Sequence, residues 1–238
     1  MRVSTVEERV GHIRERIAAA ASRVGRRPEE ITLVGVSKTH PVEAIREAFA
    51  AGVTHFGENR VQEWEGKHGA LGDLSGTWHL VGHLQSNKAA RAARMFHSVD
   101  SVDDLAVAER LDRTSGQVRP ESKLRVLIEV RIAPEETKSG VERSGLPGLA
   151  EQVNRLGHLE LAGLMGIPPF LEDVTAVRPY FRELRALRDG LESRLGRRLP
   201  VLSMGMSHDF EAAIEEGATE IRVGTAIFGE RSHPAPAA

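Results

Sequence analysis

Residues 200–224, PVLSMGMSHDFEAAIEEGATEIRVG, decide the fold. PVLSMG (200–205) is a short apolar run built for a buried strand. Ser207 stands at a helix N-cap position, residues 208–216 form a helix, and Gly217 stops it. TEIRVG (219–224) is again a strand, and a short helix follows Thr225. The unit is strand, helix, strand, with a glycine at the end of each strand. AAGVTHFGE (50–58) echoes it as helix end, glycine, threonine, strand and glycine.

The same alternation runs through the chain. ITLVGVSK (31–38), THFGE (54–58), WHLVG (78–82), FHSVD (96–100), KLRVLIEVRI (123–132) and LELAGLMGI (159–167) read as strands. Helices are expected at 41–50, 60–70, 86–95, 102–113, 144–157 and 174–194, with a polar loop at 114–122. An extra helix precedes the first strand. Ser4 and Glu7 give it a capping-box pattern, and Val6, Val10, Ile13 and Ile17 make one apolar face. Eight strands alternating with helices, nearly all apolar as buried parallel strands must be, predict an α/β fold, a (β/α)8 TIM-type barrel with an extra N-terminal helix. An open doubly wound sheet is the alternative, but no GxGxxG loop marks a switch point. One domain is expected over residues 1–232, with a disordered tail at 233–238.

Composition narrows the function classes. The 238 residues are 40% hydrophobic and 28% charged, with a net charge of −2 and no polybasic run. Neither nucleic acid nor a membrane surface is an expected partner. There is no cysteine, which excludes disulfides, thiol catalysis and thiolate metal sites. No signal peptide or membrane-spanning stretch is seen, so a cytoplasmic protein is expected. Lysine is scarce: Lys38, Lys67, Lys88, Lys123 and Lys138 stand among 27 arginines.

In a barrel, chemistry sits at the C-terminal ends of the strands. That rule selects Lys38 after the first strand, Asn59 after the second, and Gln85, Asn87 and Lys88 after the third. It adds Lys138 after the fifth and Met165 with Gly166 at the sixth. Ser203 to Ser207 close the seventh, and Arg222, Gly224 and Thr225 the eighth. Barrels often bind phosphate with the loops after strands 7 and 8. Gly205 and Gly224 admit an anion to the backbone, and Ser203, Ser207 and Thr225 supply hydroxyls. Taken singly, Ser207 and Thr225 read equally well as plain N-caps; together, on adjacent strands, they point to a phosphate site.

Lys38 directly follows a buried run, so its amine is placed for desolvation and Schiff-base chemistry. Lys88 and Lys138 share its face, whereas Lys67 lies on a helix and Lys123 at the opposite end of a strand. A lysine and a phosphate site on one face point to pyridoxal 5′-phosphate (PLP). Arg222 in place of the usual carboxylate would disfavour a protonated pyridine nitrogen and weaken the electron sink. Met165, Met204 and Met206 read as core or cofactor-facing packing. His79, His83 and His97 share no helical or single-strand spacing, so no metal site is expected.

The segments LVGVSKTHP, FGENRVQE, WHLVGHLQSNK, KSG (138–140), GLMGIPP and LSMGMSHDFEAAIEEGATEIRVGTAIFGER span residues 31 to 231. They resemble the pyridoxal phosphate homeostasis protein family. The resemblance implies a monomeric barrel like the N-terminal domain of alanine racemase, with PLP as an aldimine on Lys38. It implies a phosphate held near Ser203, Gly224 and Thr225, and Arg222 facing the pyridine nitrogen. It implies a role in vitamin B6 balance with no firm reaction attached. His208 departs from the acidic residue expected after MS, which bears on the site mouth.

Two other functions compete with a PLP carrier that passes its cofactor to apo PLP-dependent enzymes. An alanine-racemase-like enzyme needs a second acid or base opposite the lysine. The sole tyrosine, Tyr180, falls on the apolar face of an outer helix, and a second domain after the eighth strand is not expected. A barrel for another phosphorylated metabolite would explain the last two loops but give Lys38 no task. Lys138 is a candidate for a second PLP site.

Overall fold

A computed structural model describes residues 4–133 and 139–230. Lys138 and the tail at 233–238 lie outside these residues. Eight parallel strands close into a barrel in chain order: β1 Thr32–Val36, β2 His55–Glu58, β3 Thr77–Leu80, β4 Ser98–Val102, β5 Leu124–Val130, β6 Leu159–Gly166, β7 Val201–Ser203 and β8 Glu220–Val223. β8 returns to β1 with Val34 opposite Arg222 and Gly35 opposite Val223. The helices are α1 Val6–Arg23, α2 Val42–Ala50, α3 Val61–His68, α4 Ala89–Met95, α5 Leu105–Val118, α6 Leu146–Asn154, α7 Val174–Leu195, α8 Phe210–Glu215 and α9 Thr225–Phe228. The expected (β/α)8 barrel is present, with α1 as the extra N-terminal helix, packed on α2, α8 and α9.

Apolar side chains pointing out of the strands meet the helices in one continuous cluster, which includes Phe56, Trp64, Trp78, Phe96, Phe181 and Phe210. Trp64 and Trp78 stack with ring centroids 4.0 Å apart. The barrel interior is different. A small apolar plug of Leu127, Ala162 and Met165 stands apart from the outer cluster. Around it lie buried polar groups: His79 bonds Asp100 at 2.8 Å and His55 at 3.0 Å, and Arg125 pairs with Glu220 at 2.6 Å. Burial alone would strip His79 of its proton, but the Asp100 carboxylate beside it holds its pKa above the usual histidine value. His79, Asp100 and Glu220 are close enough to share an ion. The Arg125–Glu220 pair already supplies a cation there.

Three local expectations shift. The first helix begins one residue later: Thr5, not Ser4, is the N-cap and pairs with Glu8, not Glu7, in a reciprocal capping box. Both patterns exist in the sequence, and the burial of Val6 selects the second. The stretch 114–118, read as loop, continues α5. Thr114 and Ser115 are buried, and Gly116 lets His158 approach so closely that a Cβ would lie 2.6 Å from its ring. Ser207 does not cap a helix: α8 starts at Phe210 behind Asp209, whose carboxylate accepts from the Met206 N–H at 2.6 Å.

Gly163 marks the tightest strand contact. A Cβ there would stand 1.8 Å from the Val201 carbonyl oxygen, across the β6–β7 ladder. Gly163→Ala is expected to lower stability in urea by about 3 kcal/mol, the upper range for overpacking. Gly148→Ala, where a Cβ meets nothing within 4 Å, serves as the control.

Candidate functional site

The C-terminal rim of the barrel holds a cavity of about 440 Å3, a size suited to a small cofactor. Its walls include Lys38, Asn59, Ser207, Gly224 and Thr225, which follow β1, β2, β7 and β8, and Arg222 from within β8. These six expected residues are brought together because each lies at or just beyond the C-terminal end of a parallel strand, where every such end opens on one face. Ser203, Met165 and Met204 do not line the cavity. Ser203 is fully buried and its hydroxyl accepts from Arg222 at 2.7 Å. Met165 belongs to the interior plug, and Met204 turns outward into the helix layer. The methionine at the cavity wall is Met206. Tyr180 does not line the cavity; it packs against the outer cluster on α7.

Arg222 is only 5% exposed. Its guanidinium donates to the Ser203 hydroxyl and to the Gly166 carbonyl at 3.1 Å. Burial works against its charge, while Glu220, Asp100, Glu129 and Asp209 favour it. A guanidinium has donors and no acceptor, so this group can meet a ligand atom only as a donor.

The loops after β7 and β8 are tied together. The Ser207 hydroxyl accepts from the Ala226 N–H at 3.4 Å, so it bridges two loops where a helix cap was the alternative reading. Gly224, not Thr225, precedes α9 as its N-cap, which leaves the Thr225 hydroxyl outside the capping role. Gly205 has φ +95°, and a Cβ there would meet Ala213 at 2.6 Å. Only glycine suits both demands.

Several residues of the cavity escaped the sequence reading. Glu129 is buried in its wall with one oxygen accepting from Ser139 at 3.1 Å and the other without a hydrogen-bond partner among the described residues. Burial pushes its pKa above the usual carboxylate range, and Asp103 nearby adds to this. The signal was present: Glu129 is the one acidic residue of the LRVLIEV strand, whose only other polar residue is Arg125. At the mouth, Phe170 is 72% exposed and lies against the His208 ring at 5.2 Å. His208 therefore gives the site mouth an aromatic partner where an acid was expected. His83 lines the wall and bonds Asp103 at 3.1 Å.

The alanine racemase N-terminal domain family matches residues 9–232. A pyridoxal phosphate homeostasis protein of Aquifex aeolicus is 46% identical over 226 residues, covering 95% of this chain and 98% of its own. The Escherichia coli K12 protein of the same name is 41% identical, covering 97% of this chain and 99% of its own. The chain belongs to the pyridoxal phosphate homeostasis protein family. Among solved structures, PipY of Synechococcus elongatus, with PLP bound, is 42% identical with a TM-score of 0.81, covering 91% of this chain and all of its own. An alanine racemase of Clostridium difficile shares the fold at a TM-score of 0.72 and 13% identity, with only 58% of that longer chain covered.

The Glu129 carboxyl gives a pH test within this site. Its folded pKa lies above its unfolded value, so the folded state prefers the protonated form. The cost of burying it is absent below about pH 4.5 and grows as pH rises through the folded value. Glu129→Gln, which copies the protonated carboxyl, is expected to raise the melting temperature more at pH 8 than at pH 4.5. An equal change at both pH values would mean that the carboxyl ionises as it does in water.

Proposed function

We propose that this protein binds PLP and acts in PLP homeostasis, holding the cofactor on Lys38 and passing it to apo PLP-dependent enzymes. The observation that carries the reading is one cavity lined at once by Lys38, Arg222 and the Ser207–Gly224–Thr225 wall. The PLP-bound relative and the shared name of the curated relatives support it.

The residues present fit the cofactor. PLP supplies an electrophilic aldehyde, and Lys38 supplies the amine that bonds it covalently. The hydroxyls of Ser207 and Thr225 and the backbone at Gly224 suit a phosphate. Arg222, as a donor only, suits an unprotonated pyridine nitrogen. Asn59 and Met206 form part of the remaining wall, with Glu129 and His83. Ser203 and Met165 act from behind, the first by holding Arg222 and the second by flooring the barrel interior. Met204 has no contact with the cavity to offer.

This arrangement favours holding over turnover. An unprotonated ring nitrogen is a weak electron sink, which disfavours α-carbanion chemistry. Among the described residues, Tyr180 offers no second acid or base to the cavity. We also take the protein to be a cytoplasmic monomer; among the described residues no helix is long and apolar enough to cross a membrane.

Delivery is tested by mixing PLP-loaded protein with an apo PLP-dependent enzyme and a scavenger of free PLP. The enzyme is expected to regain activity faster than PLP leaves the carrier alone. Reactivation at or below that release rate would contradict delivery. Ser207→Ala combined with Thr225→Val should weaken PLP binding by roughly a hundredfold to ten-thousandfold, for two lost hydrogen bonds to a charged group. Exchange of the α-proton of alanine or serine for solvent deuterium at a useful rate would instead favour the racemase-like reading.

A further inference from the structure

Behind the Lys38 turn lies a buried ion cluster. Lys67, on α3, has a side chain only 13% exposed, and its ammonium donates to three oxygens. These are the Ser37 carbonyl at 3.0 Å, Glu58 Oε1 at 3.0 Å and Glu63 Oε1 at 2.8 Å. All three ammonium protons are thereby used. The Ser37 hydroxyl donates to the same Glu58 oxygen at 2.8 Å. Glu63 accepts in addition from the Thr39 N–H.

The cluster thus grips the chain on both sides of Lys38. Ser37 is held through its carbonyl and its hydroxyl, and Thr39 is held through its amide. Thr39 has φ +66°, the only non-glycine residue with positive φ among those described. A β-branched residue disfavours that conformation, which persists only where the surroundings over-determine it. Ser37 still pairs with the barrel through Gly57, so the chain leaves the sheet at Lys38 itself.

Fold stability is a poor account of this cluster. Glu58 is fully buried and its second oxygen has no hydrogen-bond partner among the described residues. A buried ion pair of this kind is usually no better for stability than well-packed apolar residues. What apolar residues could not do is hold two specific backbone groups flanking one side chain. Burial pushes the Glu58 carboxyl above its usual range; Glu63, although partly buried, is held below it by hydrogen bonds from Lys67 and Thr39.

We propose that Lys67 is a positioning residue for Lys38. Through Ser37, Glu58 and Glu63 it fixes the 37–39 turn so that Lys38 is presented to the cofactor cavity. There the Lys38 ε-amine, unprotonated, adds to the aldehyde carbon of PLP; a new C–N bond forms and water leaves. This inference rests on Lys38 being the anchor. Lys67 does not line the cavity and touches no cofactor atom in this account.

The test uses the full chain, PLP as the probe, and two variants, Lys67→Met and Glu63→Gln. Circular dichroism and melting establish that each variant folds. PLP affinity and the pH midpoint of the visible Lys38–PLP absorption band are then measured. The clamp predicts affinity lower by roughly tenfold to hundredfold in both, as expected for a misplaced reactive group, and a displaced band midpoint. A purely structural role would lower the melting temperature and leave the midpoint alone. The chain has no cysteine, so a Lys67→Cys variant can be alkylated at that position alone. Treatment with 2-bromoethylamine in denaturant, then refolding, rebuilds an ammonium and should restore both readouts. Parental affinity and midpoint in the variants, with a normal band in the parent, overturn the clamp and leave the Lys38 reading intact. If Lys67→Met does not fold, Glu63→Gln decides by the same criterion. A parent that shows no band overturns both.

Discussion

The pairing of β1 with β8 is the constraint on which the site depends. It closes the barrel and sets Val34 beside Arg222 and Gly35 beside Val223. Three residues beyond Gly35, Lys38 leaves the sheet next to Gly224 and Thr225. Gly224 is needed at this seam, because a Cβ would stand 3.3 Å from the Val36 carbonyl oxygen. Residues nearly 190 positions apart in the chain become two sides of one cavity. Without closure of β8 onto β1 these two ends would not be neighbours.

Closure also creates an interior that must be filled, and this chain fills much of it with polar groups. Arg222, Glu220 and Arg125 alternate with the outward apolar residues of β8 and β5, as the two-residue period of a strand requires. Their charges are paired or hydrogen-bonded: Arg125 with Glu220, His79 with Asp100, Arg222 with Ser203 and the Gly166 carbonyl. Arg222 is held from below by this column and reaches the cavity from its floor. Its rigidity is a property of the barrel interior and not of the rim loops. On the other side, the Lys67 cluster holds the Lys38 turn.

The fold was largely legible because most strands are short apolar runs bounded by glycine or polar residues, and the longer helices have a periodic apolar face. The errors came where chemistry is ambiguous over one residue or one turn. Ser4 and Thr5 both offer capping boxes, and only the burial of Val6 separates them. Thr114, Ser115 and Gly116 are small, so this part of the stretch packs where larger polar residues could not. Of the cavity, the residues at strand ends were legible, since position in the alternation assigns them to the rim. Met165 and Met204 were not separable from Met206, because the inward or outward sense of a short strand needs its register. Lys67 falls outside the rule that selects strand ends, because it lies on a helix. Its long stem instead carries the charge inward to the first strand, and no periodicity reports that.

The account stands on one covalent bond. The direct measurement is to load the purified protein with PLP, reduce it with borohydride and map the modified lysine by mass spectrometry. The account predicts a phosphopyridoxyl group on Lys38. A protein that cannot be loaded, or a label confined to Lys88 or Lys138, would contradict it.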